Sequence, residues 1–510
     1  MLCCMPRYKP VHRDPMLLPV VLAEQIQPGT FEFALDHLID HELDLSALDA
    51  KYRNDETGAS AYDPRVMLKI VLLAYSRVLI SSRNIEHACR ENVLFMALSG
   101  DSAPQFTTIA KFIRELGGEI QTLFTQVLLT CDAQGLIGKQ MFAIDGVKLP
   151  SNASKERSGS FAELAHEADR MERAVHKMIT AHQRRDSAPA DEDDAGLNMK
   201  RVTQLQGEAA RIRDFLARNT ERKSAKGSIR KSNVTDNDSA KMATSKGVIQ
   251  GYTAVAAVDS AHQVIVAAVA HGSGSEQSTL VPTVALTDAL RKRETLITAD
   301  AGYHSESNLK ELHDRGIPAL VADNLMRRRD ERFANQDKYK TLPDPLANKA
   351  APAKTTKLFG PKDFIHDKTN NTCICPAGEH LYSNGSHCVT RGRISQKFTG
   401  TQRGCGPCQL RDQCLRHPER TAVRQVSFFA KDQASPHQFT ERMKRAIDSA
   451  RGRRLYSQRM ATVEPVFANL RHNKQLNRFT LRTQPKVNTQ WTLYCLVHNI
   501  EKLAKAGFAK

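Results

Sequence analysis

Residues 141–148 run Met-Phe-Ala-Ile-Asp-Gly-Val-Lys, a short apolar stretch with one carboxylate in its middle. An uninterrupted apolar run of this length predicts a buried strand. A carboxylate inside such a strand needs a cation, a metal or a set of donors beside it, unless it lies at the strand end among backbone amides. On the N-terminal side the period changes to helical. Asp63-Pro64 opens a helix carrying Val66, Ile70 and Leu73, because proline suits the first helical position. A second helix starts at 81–84 with Ile85, Ala88, Cys89 and Val93 inward. A third, opened by Thr107-Thr108, turns Ile109, Phe112 and Ile113 inward and Lys111 and Arg114 outward. Three short helices with tight turns suit either a helix-turn-helix reader of DNA or a plain helical bundle.

Beyond the strand, Phe161, Leu164, Ala168, Met171, Val175, Met178 and Ile179 follow a coiled-coil repeat, and so do Val202, Leu205, Ala209, Ile212 and Leu216. An acidic stretch with Pro189 separates them, so this segment is expected to form a protruding helical hairpin. A basic linker follows at 223–231. Strand patterns resume at 247–258 and 263–269 as a hairpin, then a helix at 278–291, a strand at 295–300, a helix at 305–315 and a strand at 317–322. That order predicts a mixed α/β sheet. Residues 324–365 lack periodicity and read as a long loop, and 438–505 read as basic helices. The division expected is a helical, DNA-binding region at 1–135 and a core at 136–325 interrupted by the hairpin at 156–220. A polar and Cys-rich insertion at 326–435 and a C-terminal helical part of the core at 436–510 complete it.

Composition narrows the partner. The chain has 510 residues with 41% hydrophobic and 25% charged, which are globular values, and a formal net charge of +17. Such a balance points to a polyanion, double-stranded DNA first. No apolar run reaches the length of a membrane span, no lipidation motif is present, and the N-terminus lacks the apolar core of a signal peptide. A reducing cytoplasm, next to the nucleoid, is the expected compartment.

Two constellations carry chemistry. Asp300 ends a second apolar strand, Thr-Leu-Ile-Thr-Ala-Asp, at the edge where α/β sheets gather ligands. Two strands delivering Asp145 and Asp300 to one edge suit a hard divalent cation. Between Arg442 and Lys486 there are twelve Lys and Arg and only two acids, one of them Glu464, either a salt-bridge partner or a third metal ligand. His304 reads as a neighbour of the site, and Asp236 and Asp238 as turn or cap residues. The second constellation is Cys375, Cys405, Cys408 and Cys414, with a C-x₂-C knuckle, which suits tetrahedral Zn²⁺. Cys373 is an alternative first ligand, and His380, Cys388 and His417 are lower-ranked ones. Unliganded reduced thiols are the competing reading.

Phe-Ala-Ile-Asp-Gly at Asp145, Thr-Ala-Asp-Ala-Gly-Tyr at Asp300 and Tyr-x-x-Arg followed by Val-Glu-Pro-Val-Phe at Glu464 together resemble the DDE transposases of bacterial insertion sequences. The similarity is to the group with a Tyr–Arg–Glu–Lys signature. Tyr-Asp-Pro, Ser-Ser-Arg-Asn-Ile-Glu and Phe-Thr-Thr-Ile in 62–114 resemble that group's N-terminal part, and the Cys pattern resembles a Cys-rich insertion found there. The resemblance implies a ribonuclease-H-like core in which Asp145, Asp300 and Glu464 bind two Mg²⁺ (or Mn²⁺). It implies cutting of the element's ends and joining of the freed 3′-hydroxyl to target DNA, by a homodimer on the DNA. Tyr456 and Arg459 would meet the terminal phosphates. Arg471 stands where the signature has Lys, with Lys474 close behind it, and the Arg-to-Glu gap is one residue longer than usual. Pro465 places Glu464 at a helix start or kink. Alternatives are a DNA-binding regulator without catalysis and a nuclease that cuts without joining.

Overall fold

The computed structural model describes residues 19–52, 60–185, 192–223, 227, 229–244, 247–333, 358–367, 369–385, 388–390, 393–429 and 438–508. The acidic stretch between the coiled-coil segments and the loop expected at 324–365 fall largely outside them, and the basic linker in part. The chain divides into two units, residues 1–326 with 443–510, and residues 327–442.

The larger unit is built on a mixed sheet. Its principal strands are β1 (Met141–Pro150), β2 (Gly247–Asp259), β3 (Ile265–His271), β4 (Leu296–Ala299) and β5 (Ala319–Val321), in the order β3-β2-β1-β4-β5. β3, β2 and β1 are antiparallel neighbours, whereas β4 and β5 run parallel to β1. This is the ribonuclease-H-like arrangement that the resemblance implies, and a short strand, Ala240–Thr244, adds to the far end of β2. β2 is buried continuously from Gln250 to Asp259. A central strand covered on both faces needs such an unbroken apolar run.

Helices lie before, within and after the sheet in sequence. The N-terminal ones are α1 (Phe31–His37), α2 (Pro64–Ser76), α3 (Ser82–Glu91), α4 (Val93–Ser99), α5 (Phe106–Glu115) and α6 (Glu119–Ala133). Asp63 caps α2 by accepting the Arg65 N–H at 2.7 Å, and Pro64 takes the first position as expected. The insertion folds as α7 (Phe161–Arg185) against α8 (Glu192–Arg218), with Leu164, Ala168 and Met171 packed on Ala209, Ile212 and Phe215. All but Phe215 are positions of the predicted repeat; Phe215 takes the buried place expected for Leu216, which packs at the edge. The helix expected at 278–291 is shorter: α9 (Leu280–Ala285) is followed by turns, and the Thr283 and Thr287 hydroxyls bond back to local carbonyls. α10 (Glu306–Asp314), capped by Ser305, leads into β5.

Three helices close the chain, α11 (Gln438–Asp448), α12 (Ala450–Ala468) and α13 (Gln484–Ala506). α13 packs on β3 on one side and on α1, α2 and α6 on another, so the N-terminal helices and the sheet share one core. Trp491 donates to the Val255 carbonyl at 3.1 Å. Asn499 exchanges two 2.9 Å hydrogen bonds with Ile265, and Asn488 accepts from Ala270. These asparagines satisfy the edge strand β3, which would otherwise offer bare backbone groups. Asp236 and Asp238 act as the expected caps, accepting the Thr483 and Gln484 N–H groups at the start of α13.

The smaller unit holds an antiparallel sheet of short strands around Phe364, Cys373, Leu381, Phe398 and Val426.

Candidate active site

Register brings the two aspartates together. Ile144 of β1 pairs with Ala299 of β4 in parallel, and Asp145 and Asp300 are the next residue on each chain. Parallel neighbours lie about 4.8 Å apart, so the two carboxylates stand at the same edge. Asp145 Oδ1 accepts the Gly146 N–H at 2.8 Å, and Asp300 Oδ1 accepts the Gly302 N–H at 2.9 Å. Burial pushes the Asp145 carboxyl above its ordinary range. Arg459 opposes this, while Asp300 and Glu464 add to it.

Glu464 comes from α12, which packs over β1, β2 and β4. Glu464 does not start a helix: α12 runs through Pro465 to Ala468. A proline inside a helix leaves the carbonyl four residues earlier without its N–H. That carbonyl, Ala461 O, accepts the Gln263 side-chain amide at 3.1 Å. A residue from the β2–β3 turn thus supplies the donor that proline withholds. Glu464 is exposed, whereas Arg459, little more than a turn earlier, is buried against the sheet.

The resemblance puts Arg459 at the DNA. Its guanidinium instead lies 3.0 Å from Asp145 Oδ2, with side-chain exposures of 8% and 22%, and reaches towards the Ile144 carbonyl. Lys474 is also turned inward, donating to Glu501 and to the Ser76 carbonyl. It directly follows the π-helical segment Asn469–Asn473 that extends α12. Arg471, Lys111 and Arg114 are exposed. Tyr456 is half-buried beside Leu320, Ala322 and Ile447. His304 is half-buried, its carbonyl accepting from Gln277.

Three residues join the site that sequence reasoning missed. Glu276, after β3, lies 3.7 Å from Lys148 of β1. Tyr303 is fully buried, with its hydroxyl 3.0 Å from where a Cβ on Gly146 would stand. Burial and then the charges of Glu276, Asp145 and Asp300 push its phenol far up. Glu276 follows a Gly-Ser run that carries no strand or helix period, so nothing local singles it out. The Tyr after Asp-Ala-Gly is visible in the motif, but nothing around it in sequence gives it a role.

The donor set here is carboxylate oxygen, which suits a hard divalent cation. Among the described residues, no three His, Cys, Asp or Glu stand at ligand spacing as they are. At Asp145 it is the Arg459 guanidinium that supplies the positive charge.

In the smaller unit, Cys375, Cys405, Cys408 and Cys414 line one pocket. Cys373 is buried in the strand core instead, so Cys375 is the thiol that stands with the other three. Burial raises the Cys414 thiol. Arg424 opposes this, and Cys405, Cys375 and Cys408 raise it further. Arg411 holds the knuckle through the Cys405, Pro418 and Thr421 carbonyls.

Two family models described as Transposase DDE domain match residues 218–362 and 374–504, and one described as Transposase domain (DUF772) matches residues 20–115. Asp300 and Glu464 lie inside the matched stretches, and Asp145 lies between them. No curated protein and no solved structure matches the chain. No helix among the described residues is long and apolar enough to cross a membrane. The three matches follow one another along the chain in the order that the motifs predict, and the sheet has the matching topology. The chain belongs to the DDE transposases of insertion sequences.

Proposed function

We propose that this transposase binds the terminal inverted repeats of its element, cuts the DNA at the element's ends and joins the freed 3′-hydroxyl to target DNA. The observation that carries the reading is the register of β1 and β4, which sets Asp145 beside Asp300, with the Glu464 helix packed over them. Family membership brings DNA as the partner and a divalent cation as the cofactor. Asp145, Asp300 and Glu464 are the residues that would hold two Mg²⁺ or Mn²⁺. Bound there, the ions would activate the attacking oxygen and stabilise the leaving 3′-oxygen.

The chain's own residues do the rest. Asp145 and Asp300 are each anchored through Oδ1 by a backbone N–H, of Gly146 and Gly302, and Asp145 Oδ2 meets Arg459. Exposed Arg471 can grip a phosphate bidentately. Lys111 and Arg114, on the outer face of α5, are placed to meet the phosphate backbone. Tyr456 lies on the same helix as Glu464 and is assigned to the terminal phosphates. The four-thiol pocket at Cys375, Cys405, Cys408 and Cys414 fits a structural Zn²⁺ by ligand type and number. Two copies acting on paired ends are the expected assembly.

The test is Mg²⁺-dependent nicking and strand transfer on DNA carrying the element's ends. Asp145→Asn and Asp300→Asn should each lower both by more than about 100-fold, the scale on which a single active-site electrostatic group is felt. Undiminished cutting by these variants would refute the assignment. Cutting without joining by the wild type would identify a nuclease, and DNA binding without cutting a regulator.

A further inference from the structure

Gln263 lies in the β2–β3 turn with its backbone at a φ of 61°, in the left-handed region. A long side chain is disfavoured there, and glycine is the residue that adopts this conformation freely. A non-glycine residue so placed persists where its surroundings fix it. Here both ends of the side-chain amide are engaged. Oε1 accepts from Lys502 Nζ of α13 at 3.1 Å, and Nε2 donates to the Ala461 carbonyl of α12 at 3.1 Å. An ammonium only donates, so the amide oxygen must face Lys502 and the NH₂ must face α12. The main chain is held as well. The Gln263 N–H donates to the Asp259 carbonyl at 3.1 Å, and the Gln263 carbonyl accepts from His498 Nε2 at 2.9 Å. Asp259, fully buried, accepts the Ala261 and Lys139 N–H groups and so ties the turn to the chain entering β1.

The other end of this link is the turn of α12 that bears Glu464. Pro465 has no N–H to give, and the carbonyl it leaves without a helical donor belongs to Ala461, three residues before Glu464. A helix is free to bend at such a point. Glu464 itself is exposed, so its place over the aspartates is set by the backbone of its own turn. The Gln263 amide reaches that turn from the sheet whose strand β1 carries Asp145.

We infer that Gln263 is a positioning residue for the reaction, acting through Ala461 to fix the Glu464 turn of α12 relative to Asp145 and Asp300. The inference rests on the two-metal reading above and names what sets the third carboxylate in place.

The experiment is strand transfer by the full-length protein on pre-cleaved element ends, with kcat and KM for DNA measured separately and thermal unfolding in parallel. Gln263→Glu keeps the size of the side chain and its Lys502 partner but turns an acceptor towards the Ala461 carbonyl. It should lower kcat about tenfold, the lower end of what outer partners of a metal ligand contribute, with KM and thermal unfolding near those of the wild type. Pro465→Ala gives the helix back its N–H, so it should be active alone and should restore most of the kcat lost in Gln263→Glu. Gln263→Gly, which suits the left-handed backbone, should show the same loss and the same rescue, and guards against a folding defect in the glutamate variant. A wild-type kcat in both Gln263 variants would overturn the inference, as would a loss that Pro465→Ala does not rescue. Glu464→Gln separates the two layers. If it transfers strands as the wild type does, the metal-ligand reading of Glu464 fails and the inference falls with it; an inactive Glu464→Gln beside fully active Gln263 variants sinks the inference alone.

Discussion

Arg459 is held where a cation belongs. Asp145 sits on a central strand, and the guanidinium 3.0 Å away opposes the rise that burial imposes on its carboxyl. Removing one partner of a buried pair costs about 3–5 kcal/mol, and the 22% exposure of Asp145 lowers that to about 2 kcal/mol. Arg459→Ala should therefore destabilise the metal-free protein by about 2 kcal/mol in denaturant unfolding. Mn²⁺ should restore most of the loss, because the ion takes over the neutralising charge. Equal destabilisation with EDTA and with Mn²⁺ would show that Arg459 acts through packing alone. The resemblance to the Tyr–Arg–Glu–Lys signature singled out this arginine. It could not say which anion the arginine meets, because Asp145 is 314 positions away.

The element that bears Glu464 depends on its packing against the β2–β3 turn. Gln263 serves Ala461, and its own carbonyl is paired with His498 Nε2 at 2.9 Å, while His498 Nδ1 meets the Asn469 amide at 3.0 Å. Burial drives the His498 pKa down to about 4, with Gln263 opposing that shift. The folded chain thus keeps this imidazole neutral while the unfolded chain protonates near 6.5. As pH falls from about 6.5 to about 4, the unfolded state gains a proton that the folded state refuses, and stability drops. The loss at the lower end is on the order of 3 kcal/mol. Unfolding free energies at pH 7 and pH 4.5 should differ by less in His498→Gln than in the wild type; an unchanged difference would show that His498 does not titrate as described. The Gln263 bond also serves the carbonyl that Pro465 leaves without its helical donor. Proline's local effect is readable from sequence, but the replacement donor lies 198 residues away. The hairpin of α7 and α8, in contrast, follows its heptad-like repeat because its partners are near in sequence and its packing needs only periodicity.

For the whole molecule, the net charge of +17 implies strong, salt-dependent attraction to DNA. Removing one phosphate-binding cation should reduce the dependence of log affinity on log salt by about one. The Lys111→Ala, Arg114→Ala double variant should thus flatten the slope by about two; an unaltered slope would exclude α5 from the interface. The unit formed by residues 327–442 makes a separate prediction. Elemental analysis should find about one zinc per chain, absent from Cys408→Ser, if the four thiols bind as their number and type suggest. Zinc content unchanged by that substitution would exclude this pocket.

Periodicity by itself determined the strands carrying Asp145 and Asp300, the helix of Lys111 and Arg114, the coiled-coil insertion and the clustering of cysteines. Each is set by neighbours within a few turns, where apolar spacing and caps act directly. Tertiary structure alone decided that Arg459 and Lys474 face inward, that Cys375 rather than Cys373 joins the thiol pocket, and that Glu276 and Tyr303 stand beside the aspartates. Those outcomes depend on strand register and helix packing between residues far apart in the chain. Charge and hydrogen-bond partners there are chosen by proximity in space, which no local pattern records.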